Sequence, residues 1–209
     1  VVGAQAARLL ATLSQLDVSE SWPTEMLQIQ QTRQINLILQ HAWATVPFYQ
    51  RHHRELIGTT GKQELTADQW SSIPLMARTH IQSAEKDLWS QALPPSHGNT
   101  WTDSTSGSTG GAITHVHTAL AQHLWNAITL REVRWHERDV SKKLVAIRAG
   151  IKNQEQDDWG APFSLLYETG PAASLHTKTP LAEQLDWLAR QQPQYLITYP
   201  SLLLSLIHI

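Results

Sequence analysis

Ser104–Gly111 reads STSGSTGG and runs on as AITHVHT to Thr118. Its eight residues are all Ser, Thr or Gly in a chain with only 10 Gly, so backbone freedom is concentrated in one place. Such a run supplies little packing surface. It does offer hydroxyls and accessible backbone N–H groups in a loop that bends sharply, which is the equipment for holding phosphate. Gly107, Gly110 and Gly111 permit positive φ and close approach of the backbone to a ligand. Ser106, Ser108 and Thr109 can donate hydroxyl hydrogens to anionic oxygens, and a hydrogen bond to a charged group contributes roughly 1.5–3 kcal/mol. No GKS or GKT follows, and no Lys lies between Trp101 and Lys142, so this is not a Walker A loop. Phosphate here would be held by dipoles and hydroxyls, with a metal or a residue elsewhere balancing the charge.

Working outward, the loop sits between two expected strands, Asn99–Asp103 and Ala112–Val116. A helix over about Thr118–Arg134 follows, with Leu120, Leu124, Ile128 and Arg131 on one face. Leu144–Arg148 (LVAIR) and Phe163–Tyr167 read as short buried strands. Thr179-Pro180 opens a helix carrying Leu181, Leu185 and Leu188; Tyr195–Thr198 is a strand, and another helix starts at Ser201. Upstream, the spacing predicts helices over Ala4–Leu16 and from Pro23 to Val46-Pro47, the second with a stripe of Ile35, Ile38, Leu39, Ala42 and Val46. A short helix in FYQRHHREL comes next. Capping-box patterns at Thr66–Gln69 and Thr79–Gln82 open two more, the second running toward Trp89. Pro94–Asn99 marks a change of character. The expectation is an α/β fold, with a mostly helical region over 1–98 and an α/β portion over 99–209 carrying the loop.

Once these segments are in view, TSGSTGG at Thr105–Gly111 resembles the phosphate-binding signature of the adenylate-forming (AMP-binding) superfamily, TSGSTG followed by x-Pro-Lys. HAWATVPFYQRH (His41–His52), IPLMARTHIQS (Ile73–Ser83) and YLITYPSLLLSL (Tyr195–Leu206) look like the matching segments of its phenylacetate–CoA ligase-like branch. Ala112 and Ile113 stand where the signature has Pro and Lys. The resemblance implies a helical N-terminal region packed on part of the family's sheet-and-helix layer, 1–98 and 99–209 being parts of one truncated adenylation domain. It implies an enzyme that joins a carboxylic acid to ATP, giving acyl-AMP and pyrophosphate, and then forms a thioester with CoA. ATP, Mg²⁺ and CoA follow as cofactors and small-molecule partners. Thr105, Ser106, Gly107, Ser108, Thr109, Gly110 and Gly111 match the nucleotide-phosphate positions, with Thr105 fixing the start of the loop. The family's adenine segment, ribose-binding acid and catalytic Lys lie later than Ile209, so no catalytic residue is assigned. These 209 residues are expected to be an N-terminal fragment, inactive alone.

Two other readings compete. One is a non-catalytic domain that keeps the fold, with Ala112-Ile113 as signs of lost turnover. The other is a metal-dependent hydrolase using His115 and His117, which lie at i, i+2 on one strand face and could share a divalent ion. The longer pattern HxHxDH is missing, since Thr118-Ala119 follow, and the preferred account is polar residues leaving a short strand with no metal. His52-His53 point apart on a helix, and Asp157-Asp158 reads as a solvated turn.

Composition narrows the class. With 41% hydrophobic and 16% charged residues the chain is expected to fold, and a formal net charge of −2 without charge runs argues against nucleic-acid or polybasic membrane binding. The absence of Cys removes disulfide and thiolate chemistry. No signal peptide is recognisable, and Leu202–Ile207, interrupted by Ser205, is too short to span a bilayer. A cytoplasmic location is the default expectation.

Overall fold

The computed structural model describes residues 3–54, 64–66, 68–105 and 111–208. Its elements in chain order are α1 (Ala4–Glu20), α2 (Thr24–Thr45), α3 (Pro47–His52) and α4 (Arg78–Ala84), then β1 (Thr100–Ser104) and β2 (Thr114–Thr118). These are followed by α5 (Ala119–Trp135), β3 (Leu144–Arg148), β4 (Gln154–Gln156), β5 (Ala172–His176), α6 (Leu181–Gln191), β6 (Tyr195–Ile197) and α7 (Pro200–Ile207). Short 3₁₀ turns occur at Asp68–Ser72, Glu85–Leu88, Pro95–His97 and Phe163–Leu165. The chain divides into two compact units, one of residues 14–125 and one of 1–13 with 126–209. The change of character expected at 98/99 therefore falls inside the first unit.

In the unit of 14–125, α2 ends at Thr45 because Val46, ahead of Pro47, is extended (φ −117°, ψ 109°). The expected stripe on α2 is only partly buried. Val46 is buried, but Ile38 is 67% exposed, and the inward position is held by Asn36. Asn36 Nδ2 donates to Leu65 O at 2.9 Å, and Leu65 N–H donates to Asn36 Oδ1 at 2.7 Å. A buried amide that satisfies both backbone groups of one residue replaces apolar packing there. The capping box at Thr66–Gln69 forms, with Thr66 N–H donating to Gln69 Oε1 at 3.0 Å, and opens a 3₁₀ turn. α4 starts at Arg78, one residue before the expected box. The His80 ring accepts from Ala77 N–H at 3.3 Å, and Glu85, at φ 44°, stops the helix well short of Trp89. Ser90 Oγ donates to Thr45 Oγ1 at 3.0 Å and Gln91 N–H to Thr45 O at 2.8 Å, tying the segment after α4 to α2. β1 and β2 pair antiparallel from Thr100↔Thr118 to Ser104↔Thr114.

The other unit holds a four-stranded sheet in the order β4-β5-β3-β6. β3 runs parallel to β5 and β6, and β4 is antiparallel to β5. Val145 and Ile147 of β3 are fully buried, as the LVAIR run implies for a central strand. Ala6, Leu9 and Leu13 of α1 and Ala127, Leu130 and Val133 of α5 complete the apolar core of this unit. Two expectations fail. On α5 the stripe Leu120, Leu124, Ile128 is 38–47% exposed, and the helix buries the face marked by Ala127 instead. Phe163–Tyr167 is not a strand: a 3₁₀ turn behind Pro162 occupies Phe163–Leu165, with Leu165 N–H and Leu166 N–H bonding back to Pro162 O and Phe163 O. The neighbouring strand is β5, whose AASLH is masked in sequence by small residues.

Candidate functional site

The β1–β2 hairpin carries the Ser/Thr/Gly loop as its connection. Thr and Val alternate with Trp, Asp and His along its arms, and β-branched residues favour such a pleated surface. At the loop end, Ser104 Oγ and Thr114 Oγ1 lie 2.8 Å apart across the strands. One residue on, Thr105 N–H donates to Ile113 O and Ile113 N–H donates to Thr105 Oγ1, both at 3.0 Å. Thr105 thus closes the base of the loop with its backbone and its hydroxyl oxygen. Ser106, Gly107, Ser108, Thr109 and Gly110 lie outside the described residues.

Gly111 is where the loop meets α4. Its carbonyl accepts from Gln82 Nε2 at 2.7 Å and from Arg78 Nη2 at 3.3 Å. Arg78 and Gln82 are four residues apart and share one helix face, so a single turn of α4 presents both donors. This brings a guanidinium to the end of a loop that has no basic residue of its own. Ile113, in the position where the resembling signature carries Lys, is half-buried and lines the adjoining hollows.

Two hollows adjoin the hairpin within this unit. One of about 280 Å³ is bounded by Gln82, Lys86, Trp89 and Ile113. The other, about 630 Å³, lies between Leu88, Trp89 and Leu93 on one side and Thr100, Thr102 and Val116 on the other. Apolar walls, hydroxyls on the hairpin and Lys86 at the margin of the smaller hollow suit a small organic acid or the apolar end of a larger ligand.

Positions 101, 103, 115 and 117 alternate with Thr100, Thr102 and Val116 along the strands and share one hairpin face, and Trp101 and His115 also border the larger hollow. There His117 Nε2 is 3.3 Å from Asp103 Oδ2, and the His115 and His117 rings stand 4.4 Å apart. His52 and His53 do not diverge: their rings are 5.1 Å apart, and His52 meets His80 at 5.2 Å. Asp158 accepts from Gly160 N–H at 2.6 Å, as a turn residue does. The sequence reading missed Arg78, Gln82 and Asp103. Only the i, i+4 spacing of the first two ahead of the loop hints at them, and nothing local ties Asp103 to the histidines.

No family model matches the sequence, and no curated protein matches it. Among solved structures the chain is similar in fold to 2-hydroxyisobutyryl-CoA ligase in complex with 2-HIB-AMP and CoA in the thioesterification state. The TM-score is 0.62 and the identity 20%, over 90% of this chain and 40% of that one. An open conformation of that ligase, also with 2-HIB-AMP and CoA, gives a TM-score of 0.59 at 19% identity, over 90% of this chain and 44% of that one. The chain thus has the α/β fold of part of that ligase and spans less than half of its length. Among the described residues, no helix is long and apolar enough to cross a membrane.

Proposed function

We propose that this chain is the N-terminal part of an ATP-dependent ligase that adenylates a carboxylic acid and passes the acyl group to CoA, in the phenylacetate–CoA ligase-like branch. One observation carries the reading: a fold shared over 90% of the chain with a ligase holding an acyl-adenylate and CoA, in a chain whose hairpin connection reads TSGSTGG. A carboxylate oxygen attacks the α-phosphorus of ATP, the bond to the β-phosphate bridging oxygen breaks, and pyrophosphate leaves. The thiol sulfur then attacks the acyl carbon and AMP departs with the bonding pair.

The part of this chain is to hold the leaving pyrophosphate. Ser106, Ser108 and Thr109 donate hydroxyl hydrogens, and the backbone of Gly107, Gly110 and Gly111 approaches the β- and γ-phosphates. Arg78, already bonded to Gly111, supplies the positive charge that Ile113 cannot. Mg²⁺ would neutralise phosphate charge; the loop offers only neutral hydroxyl and amide groups, so the ion would be held chiefly by the phosphates themselves.

The test is ATP and pyrophosphate binding by the 209-residue chain, measured by calorimetry on wild type, Thr109→Val and Arg78→Ala. Each variant should weaken binding by about tenfold or more, the loss of a hydrogen bond to a charged group. In the longer enzyme Thr109→Val should raise the KM for ATP or slow adenylation. Wild-type affinity in both variants would show that the loop does not bind phosphate. The alternative, a non-catalytic domain that keeps the fold, predicts phosphate binding here but no adenylation by the longer protein.

A further inference from the structure

One face of the hairpin carries Trp101 and Asp103 on β1 and His115 and His117 on β2. The antiparallel register sets Asp103 directly opposite His115 and Trp101 opposite His117. One ligand atom from each of Asp103, His115 and His117 lies within 4.8 Å of the others. The sequence offered only two histidines on one strand; the register brings a carboxylate from the other strand to the same place. We infer that Asp103, His115 and His117 form a binding site for a divalent transition-metal ion, zinc foremost, that bridges the two arms of the hairpin.

Three observations carry this. The first is the spacing. Zinc holds imidazole nitrogen and carboxylate oxygen at about 2.0–2.2 Å, so two of its ligands in a tetrahedral arrangement stand about 3.4 Å apart. Asp103 Oδ2 and His117 Nε2 are 3.3 Å apart. That separation matches the one adopted by two ligands of a single zinc ion. The second is orientation. The Trp101 indole stacks on the His117 ring, centroids 5.4 Å apart and planes 11° from parallel, which holds that imidazole in one attitude as outer-shell groups do around metals. The third is the donor set. Two imidazoles and one carboxylate suit zinc, cobalt and nickel, whereas magnesium and calcium favour oxygen ligands. Drawing the ligand atoms together by up to about 1.4 Å completes the three-ligand set and leaves a fourth position for water or another oxygen ligand.

The site is distinct from the proposed phosphate loop and does not depend on the adenylation reading. Asp103 and His115 lie two residues outside Thr105 and Ile113, which close that loop, so a bound ion would fasten the hairpin just below it.

The test uses the chain stripped with a chelator and titrated with zinc chloride by calorimetry, with cobalt absorption as a second readout of geometry. One ion per chain is expected, with a tetrahedral cobalt spectrum and no binding of magnesium at the same place. His115→Ala, His117→Ala and Asp103→Asn should each weaken zinc by at least about tenfold. His80→Gln, in the other histidine cluster, should not. Zinc should also raise the thermal midpoint of wild type and leave that of His115→Ala unchanged. Far-UV circular dichroism checks that each variant is folded, and Asp103→Asn keeps the side-chain shape. Absence of stoichiometric zinc binding by wild type, or equal binding by wild type and folded Asp103→Asn and His115→Ala, overturns the site.

Discussion

His53 follows α3 with its ring buried, 5.1 Å from the rings of both Tyr49 and His52. Its Nδ1 has no hydrogen-bond partner among the described residues. Burial pushes its pKa below the ordinary 6.5, and the neighbouring His52 pushes the same way. The unfolded chain therefore binds more protons than the folded one between the folded pKa and 6.5. The stability from burying neutral His53 is complete above that window and is lost as pH falls through it, levelling off below the folded value. Urea midpoints measured from neutral to mildly acid pH should fall over this range in wild type and fall less in His53→Gln. Equal slopes in the two proteins would mean that the folded state does not hold His53 neutral.

At the scale of elements, β5 depends on a residue that has no side chain. Gly170 N–H donates to Val140 O at 2.9 Å, and a Cβ on Gly170 would run into Ser141 O and lie 2.6 Å from Lys142 O. Both obstacles are backbone and cannot rotate away. Gly170→Ala should lower the stability to urea by about 1–3 kcal/mol, the usual cost of overpacking. Gly3→Ala, with no atom within 4 Å of its Cβ, should leave it unchanged. A Gly170→Ala midpoint equal to wild type would mean that the approach to β5 yields without cost. Gly170 was invisible in the sequence because its constraint comes from residues some thirty positions earlier. The same reason divides the legible from the illegible elsewhere. β3 could be read from LVAIR and α6 from Thr179-Pro180 because their signals are local. On α5, Leu120, Leu124 and Ile128 form as regular a series as Ala127, Leu130 and Val133, and only packing chooses between them. In the candidate site, the Ser/Thr/Gly run could be read from composition. Arg78, Gln82 and Asp103 join it through a helix contact and a strand register that no short window contains.

Across the whole molecule, fold likeness and chemistry differ in extent. The chain matches the ligase structure over 90% of itself but only 40–44% of that enzyme. Catalysis of a slow reaction requires roughly 8–23 kcal/mol of transition-state stabilisation. Three or four charged hydrogen bonds from the loop, at roughly 1.5–3 kcal/mol each, reach at most the lower part of that range. Such bonds also form with bound ATP, and an interaction equally strong in the ground state adds affinity without adding rate. Holding phosphate and activating a carboxylate are thus separable, and only the first belongs to these 209 residues on the proposed reading. The chain alone should bind ATP yet show no acid-dependent exchange of labelled pyrophosphate into ATP, whatever carboxylic acid is supplied. Exchange above background that disappears in Thr109→Val would place the chemistry within this chain and refute the division of labour. Binding without exchange would locate what carries the rate in groups other than the hairpin loop and α4.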